Sequence, residues 1–203
     1  MEKNKRMALN SPPAKRRTAR MNREMIMEAA ARLFAASSYE GVSIDDIASE
    51  IGATKGLVYH YFPSKGALLG ELLLWIHKLF LDKVEPAYAS INASPVDRFK
   101  EVVRAHIDFN YQYLHMISVI YRTVDSVPAG MRRKIRKQRL DYMALFIALV
   151  KELQQSNNVV EGDAREIAVS ITTLINYLPF YLKDTGIKKR ESVYKLVIRL
   201  FCR

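Results

Sequence analysis

The chain is poor in the residues that mark several structural classes. One cysteine, Cys202, stands among 203 residues, which excludes an intramolecular disulfide framework and a cysteine-built metal cluster. Glycine and proline number only 8 and 7, and alternating apolar-polar runs bounded by turn residues are missing, so an all-α chain is expected. The longest apolar stretch, Ala67 to Leu81, is broken by Glu71, His77 and Lys78. It falls short of the roughly 20 apolar residues that cross a bilayer. The basic N-terminus has no apolar signal core behind it, which points to a soluble, cytoplasmic protein without a membrane partner. Catalytic signatures are scarce too. The four histidines, His60, His77, His106 and His115, share no metal-ligand spacing, and no HExxH, P-loop or nucleophile elbow occurs. No catalytic residue, metal ligand or cofactor is expected.

What the chain does have is apolar content, 49%, enough for one large or two small domains, and a formal charge of +11. Such a charge fits a polyanionic partner, though also simple solubility. Its placement says more. Residues 1–20 carry seven basic side chains against Glu2, and Arg132 to Arg139 carries six with no acid among them. Residues 21–62 hold three basic side chains against six acidic ones. A nucleic-acid reading must therefore account for a module that is mildly acidic apart from its arm.

In chain order, residues 1–20, with Ser11-Pro12-Pro13 and scattered cations, read as a disordered basic arm. A first helix is expected from about Asn22 to Ser37, with Met25, Ile26, Ala29, Ala30, Leu33 and Phe34 at helical spacing. Ser43, with Asp46 in the capping-box position, begins a second, short helix with the stripe Ile44, Ile47, Ala48, Ile51. Gly52 suits an abrupt helix end, and Thr54 is a good N-cap for an immediate restart. Ala53, Val58 and Tyr61 then face back, leaving Lys55, Gly56, Tyr59 and His60 outward. This is the spacing of a helix-turn-helix, whose second helix is short enough to lie in a DNA major groove. Phe62-Pro63 stops it. Ser64 caps a long helix to about Ala89, and further helices are expected at 95–113, 115–125, 129–155, 163–184 and 190–203.

The stretch from Val42 to Leu68, VSIDDIASEIGATKGLVYHYFPSKGAL, follows the pattern T-x-x-x-I-A-x-x-x-G-x-[ST]-x-x-x-[LIV]-Y-x-[HY]-[FY]-x-x-K-x-x-L at nearly every fixed place. On these residues the chain resembles the tetracycline-repressor (TetR) family of bacterial transcriptional regulators. Ser43 stands where threonine is usual, Ile51 where alanine is common, and Gly66 where glutamate is common; Gly66 is expected to loosen the first turn of the long helix. The resemblance implies a basic arm over 1–20, a three-helix DNA-binding domain over 21–63, and a helical-bundle domain for ligand and dimerisation over 64–203.

The DNA-facing set implied by the match is Ser43, Thr54, Lys55, Gly56, Tyr59, His60, Tyr61 and Lys65. Thr54, the two tyrosines and Lys65 suit phosphates, while Lys55 and His60 suit base edges with Gly56 allowing close approach. The alternative for the tyrosines is a core position with a wet edge. Deleting residues 2–20 is expected to flatten the slope of log affinity against log salt. The expected mechanism is a ligand-responsive repressor, binding a palindromic operator as a homodimer through its last two helices. The long helix from Ser64 to Ala89 would pass the effector signal to the DNA-binding helices.

Candidate pocket residues, chosen as bulky or amphipathic side chains on inward stripes, are Trp75, Phe109, Tyr113, Met116, Ile120, Tyr142, Phe146, Asn176 and Phe180. An aromatic stripe also fits plain core. The effector is expected to be apolar or aromatic with one polar handle, or an acyl-coenzyme A whose phosphates pair with the Arg132–Arg139 run. The plain alternative for that run is a solvated helix face. A helix-turn-helix protein without a small-molecule ligand, governed by a protein partner or constitutive, is the second reading, and a solid bundle would favour it.

Overall fold

The structure, a computed structural model, describes residues 13–89, 93–182 and 186–202, with side chains from residue 21 onward apart from Val124. The first helix, α1 (Pro13–Ala36), starts well before Asn22. Residues 13–20 are therefore helical, a correction to the arm expected over 1–20, whose residues 1–12 lie outside the described ones. The reason is local. Pro13 has no N–H to lose in a first turn, and Ala, Lys and Arg after it are strong helix formers. Ile26, Ala29, Ala30 and Phe34 are buried as expected, joined by Met27 and Ala31. Met25 is instead 41% exposed, at the edge of the face by which α1 packs on three neighbouring helices.

α2 (Ile44–Glu50) carries both halves of its capping box: Asp46 N–H donates to Ser43 Oγ (3.1 Å) and Ser43 N–H donates to Asp46 Oδ2 (2.7 Å). The bonds that Asp46 Oδ2 accepts from the Ser43 N–H and the Ser43 hydroxyl (2.7 Å each) hold its carboxyl below the ordinary range. Gly52 takes φ +64°, a left-handed turn that ends α2, and Ala53 N–H reaches back to Ala48 O (2.9 Å). Thr54 accepts from Leu57 N–H (3.3 Å) and opens α3 (Lys55–Tyr61) at once. Buried Phe62 follows, then α4 (Lys65–Tyr88), capped by Ser64 on Ala67 N–H (3.0 Å). The first turn of α4 thus forms despite Gly66, held by its cap and flanked by Pro128.

The bundle continues with α5 (Pro95–Gln112, capped by Ser94), α6 (Leu114–Thr123), a 3-10 turn at Val124–Ser126, α7 (Ala129–Gln155), α8 (Ala164–Leu182, capped by Asp163) and α9 (Ile187–Phe201). α6 is shorter than expected and ends in the 3-10 turn, while α9 begins earlier and stops at Phe201. There Cys202 leaves the helix to form an isolated antiparallel bridge with Val159. α4 lies along α5 and α7, α5 lies on α8 and α9, and α6 rests against α1. At the crossing of α4 and α7 a Cβ on Gly70 would sit 3.1 Å from Met131 Cβ, so the small residue there sets the approach of the two helices. One continuous core runs from α1 to α9 and joins the first three helices to the bundle.

Candidate DNA-binding face and ligand cavity

Four of the residues expected to face DNA do lie on the outside of α3: Lys55, Gly56, Tyr59 (44% exposed) and His60. Thr54 is exposed at its N-cap; its oxygen accepts from Leu57, which leaves its hydroxyl proton free to donate. Lys55 Nζ sits 2.6 Å from Asp45 Oδ2, and this partner raises the lysine's affinity for its proton. Ser43 is occupied with Asp46. Tyr61 is half-buried and tethered: its hydroxyl accepts from Asn22 Nδ2 (3.2 Å) and its carbonyl from Arg23 Nη1 (3.1 Å). Arg23 also pairs with Glu71 on α4 (3.1 Å) and lies over the Phe62 ring (4.6 Å). One arginine therefore ties α1 to the end of α3 and the start of α4. The Lys65 ammonium lies over Tyr39 (4.4 Å) and donates to Glu40 O (3.3 Å), folded onto the α1–α2 connection.

The bundle is not solid. A cavity of about 350 Å³ lies between α4, α5, α6, α7 and α8. Phe109, Ile120, Tyr142 and Asn176, all expected in the lining, face it. The other candidates do not. Phe146 packs on Phe99 (ring centroids 6.0 Å), Tyr113 on Phe109 (4.7 Å), and Phe180 on Tyr121 (6.2 Å). Met116 is buried in the core and Trp75 packs, partly buried, against it; neither is part of the lining. Neighbouring rings fill the volume that their inward direction alone left open.

Sequence reasoning found Asn176 but missed the polar side chains around it. His106 and Asn110 line the cavity from α5, and Thr172 stands with Asn176 on α8. In each helix the two stand four apart, one turn, on an otherwise buried stripe, and that repeat was the available signal. The His106 ring is held between Tyr142 Oη (3.0 Å from Nδ1) and Asn176 Oδ1 (2.9 Å from Nε2). Asn110 Nδ2 donates to Asn176 Oδ1 (2.9 Å) and to Ile175 O (3.2 Å). Burial pushes His106 down to about 4, against the opposing effect of its Asn176 bond, and pushes the Tyr142 hydroxyl well above its ordinary value. Both are neutral near pH 7. Phe80 closes the group edge-on to His106, Phe109 and Tyr142 at 4.6, 5.3 and 4.7 Å.

The first half of α7 forms a hollow beside the cavity, lined by Arg132, Arg133, Arg136, Arg139 and Arg165 with no acidic side chain in the lining. Ile135, Arg139, Met143 and Val169 line both spaces. The cationic hollow and the cavity, part apolar and part polar, therefore adjoin. Among the described residues no cluster of three or more metal-ligating side chains occurs, and no helix is long and apolar enough to cross a membrane.

Residues 26–72 match the family described as bacterial regulatory proteins of the tetR family, and residues 92–203 match the tetracyclin repressor-like C-terminal domain. Over 182 residues the chain is 27% identical to the HTH-type transcriptional repressor KstR2 of Rhodococcus jostii (strain RHA1), covering 88% of this chain and 83% of that protein. Among solved structures, AibR in complex with isovaleryl coenzyme A and operator DNA superposes with a TM-score of 0.80 at 24% identity, covering 89% of this chain and 98% of AibR. The ketosteroid regulator KstR2 of Mycobacterium tuberculosis superposes with a TM-score of 0.77 at 15% identity, over 89% and 95% of the two chains. At such identities the two structures speak for the fold. The family matches together span most of the sequence, and they fall on both the helix-turn-helix and the cavity-bearing bundle: the chain belongs to the TetR family of DNA-binding transcriptional repressors, and is not an enzyme.

Proposed function

We propose that the protein is a homodimeric repressor whose hold on a palindromic operator is released by an acyl-coenzyme A. The observation that carries this reading is the junction between the arginine-lined hollow and the largely aromatic and aliphatic cavity with its polar group. Clustered guanidiniums suit the phosphates of coenzyme A, which they meet with charge-assisted, often bidentate, hydrogen bonds. The adjoining apolar space suits a short acyl group, since about 350 Å³ lies at the low end of the roughly 300–1,000 Å³ usual for ligand pockets. That AibR has been solved with isovaleryl coenzyme A and operator DNA supports the same class.

On DNA, Lys55 and His60 read base edges while Thr54, Tyr59 and Lys65 take phosphates; Ser43 and Tyr61 flank them, and Gly56 admits the backbone closely. Asp45 steers the Lys55 ammonium, and Lys65 exchanges Glu40 O for a phosphate oxygen. The dimer forms on exposed apolar side chains of α8 and α9: Val169, Tyr177, Tyr181, Leu196 and Leu200. Signal transfer uses two helices that line the cavity and also reach the DNA-binding helices. α4 contributes Leu73, Ile76, His77 and Phe80 to the lining, and α6 contributes Ile117, Ile120 and Tyr121 while resting against α1. A ligand that widens the cavity shifts both.

The test is fluorescence anisotropy on labelled duplexes from the protein's own promoter, titrated with a series of acyl-coenzyme A thioesters. A chain-length-dependent loss of DNA affinity, roughly 5–150-fold, is expected. Charge reversal at Arg132 and Arg136 should abolish that loss and spare DNA binding itself. Release unaffected by the reversal would remove coenzyme A from the reading.

A further inference from the structure

The polar group in the cavity has a fixed hydrogen-bond direction, and it can be traced from one proline. Pro179 stands inside α8 and has no N–H, so the carbonyl four residues earlier, Ile175 O, is released from the helical ladder. That carbonyl can only accept, and Asn110 Nδ2 donates to it at 3.2 Å. The Asn110 amide is thereby oriented, and its second N–H is committed to Asn176 Oδ1 at 2.9 Å. Since that Asn176 atom is the oxygen, His106 Nε2 at 2.9 Å from it must carry a proton. Burial keeps the ring neutral, so Nδ1 is the acceptor and the Tyr142 hydroxyl donates to it at 3.0 Å.

Every direction in the chain now follows, and it ends on one group. The bonds of the Asn176 side chain to His106 and Asn110 both fall on Oδ1, and Asn176 lines the cavity. What it offers a ligand is Nδ2, a donor and never an acceptor. It lies seven residues along α8 from Val169, at the border with the arginine hollow, a separation of about 10 Å by helical rise.

We propose that Asn176 is a specificity-determining donor: its Nδ2 amide takes the acyl carbonyl oxygen of the effector, so that thioesters are bound and the matching thioethers are rejected. The proposal rests on the acyl-coenzyme A reading given above, and deepens it. A thioether in the same place leaves the N–H facing apolar groups with no acceptor, a loss that a site built around the bond does not recover. Pro179, Asn110 and His106 act through Asn176, as positioning residues that lock its amide in this sense.

The test compares butyryl-coenzyme A with its S-butyl thioether by isothermal titration calorimetry on the full chain. The wild type is expected to bind the thioester about tenfold or more tightly than the thioether. In Asn176→Leu the ratio should fall to about one by loss of thioester affinity, with thioether affinity kept. The wild-type comparison stands even if the variant folds poorly. Equal affinities in the wild type, or a ratio that survives in Asn176→Leu, would overturn the assignment and leave the effector reading in place. Binding of neither compound overturns both.

Discussion

In the helix-turn-helix each device acts over a few residues of chain. Ser43 caps through Asp46, Thr54 through Leu57, and Gly52 turns within the span from Ala48 to Ala53. In the cavity the polar contacts join residues 36 to 70 apart in sequence, drawn from α5, α7 and α8. The DNA-binding face is thus a local structure carried by one outward helix edge, and the cavity exists only where five helices fail to close. The difference suits the two tasks. A groove-reading edge needs one rigid shape, whereas a cavity changes its ligand by changing a few lining side chains without touching the caps.

The two regions meet at Phe62, and a substitution there tests how firmly they are joined. Phe62 is fully buried, follows α3, and carries Arg23 over its ring. Phe62→Ala should cost about 3–5 kcal/mol in urea unfolding, and both regions should lose structure together. If the bundle instead unfolds in a separate, unshifted transition, the two regions are less joined than their continuous core indicates.

His106 gives the bundle a pH dependence. Its folded value near 4 lies below the roughly 6.5 of an unfolded imidazole, so the unfolded chain takes up a proton first as pH falls. The stability it contributes is full above about pH 6.5 and is lost between there and about pH 4, on the order of 3 kcal/mol in all. Burial lowers His77 and His115 too, adding to the same slope. Urea midpoints from pH 7 to pH 4 should therefore fall less steeply in His106→Asn than in the wild type. Superimposable slopes would rule out a buried neutral ring.

Two glycines near the DNA-binding face should respond with opposite sign. At Gly52 a Cβ meets nothing within 4 Å, so the cost of Gly52→Ala is conformational alone, about 1–2 kcal/mol for a left-handed residue. Operator affinity should fall with it, since the turn aims α3. Gly66 lies in the first turn of α4, and a Cβ there meets Pro128 at an ordinary 3.5 Å. Gly66→Ala should stabilise by about 0.5–1 kcal/mol in thermal melts, as alanine restricts the unfolded chain and suits the helix. A destabilised Gly66→Ala would mean that the Pro128 contact sets the geometry of α4 more tightly than its distance implies.

The helix starts at Ser43, Thr54, Ser64 and Ser94 were legible, because a cap and its partner lie within one turn. The start of α1 was not: Ser11-Pro12-Pro13 and the scattered cations suggested a disordered arm, although the residues after Pro13 are good helix formers. Asn176 could be singled out as a polar residue on an apolar helix. Its partners His106 and Asn110 could not be assigned to it, since they stand on another helix. Tyr113 and Phe146 point inward as Phe109 and Tyr142 do, and only the rings packed against them separate core from lining.

By itself the amino-acid order determined the all-helical class, the caps, the left-handed turn at Gly52 and the outward edge of Lys55, Tyr59 and His60. These depend on interactions that reach no further than a helical turn. The tertiary structure alone decided where the bundle stays open, which side chains line the opening, and that the Arg132–Arg139 face adjoins it. An opening is what remains between helices after they pack, so its shape depends on their relative placement rather than on any one segment.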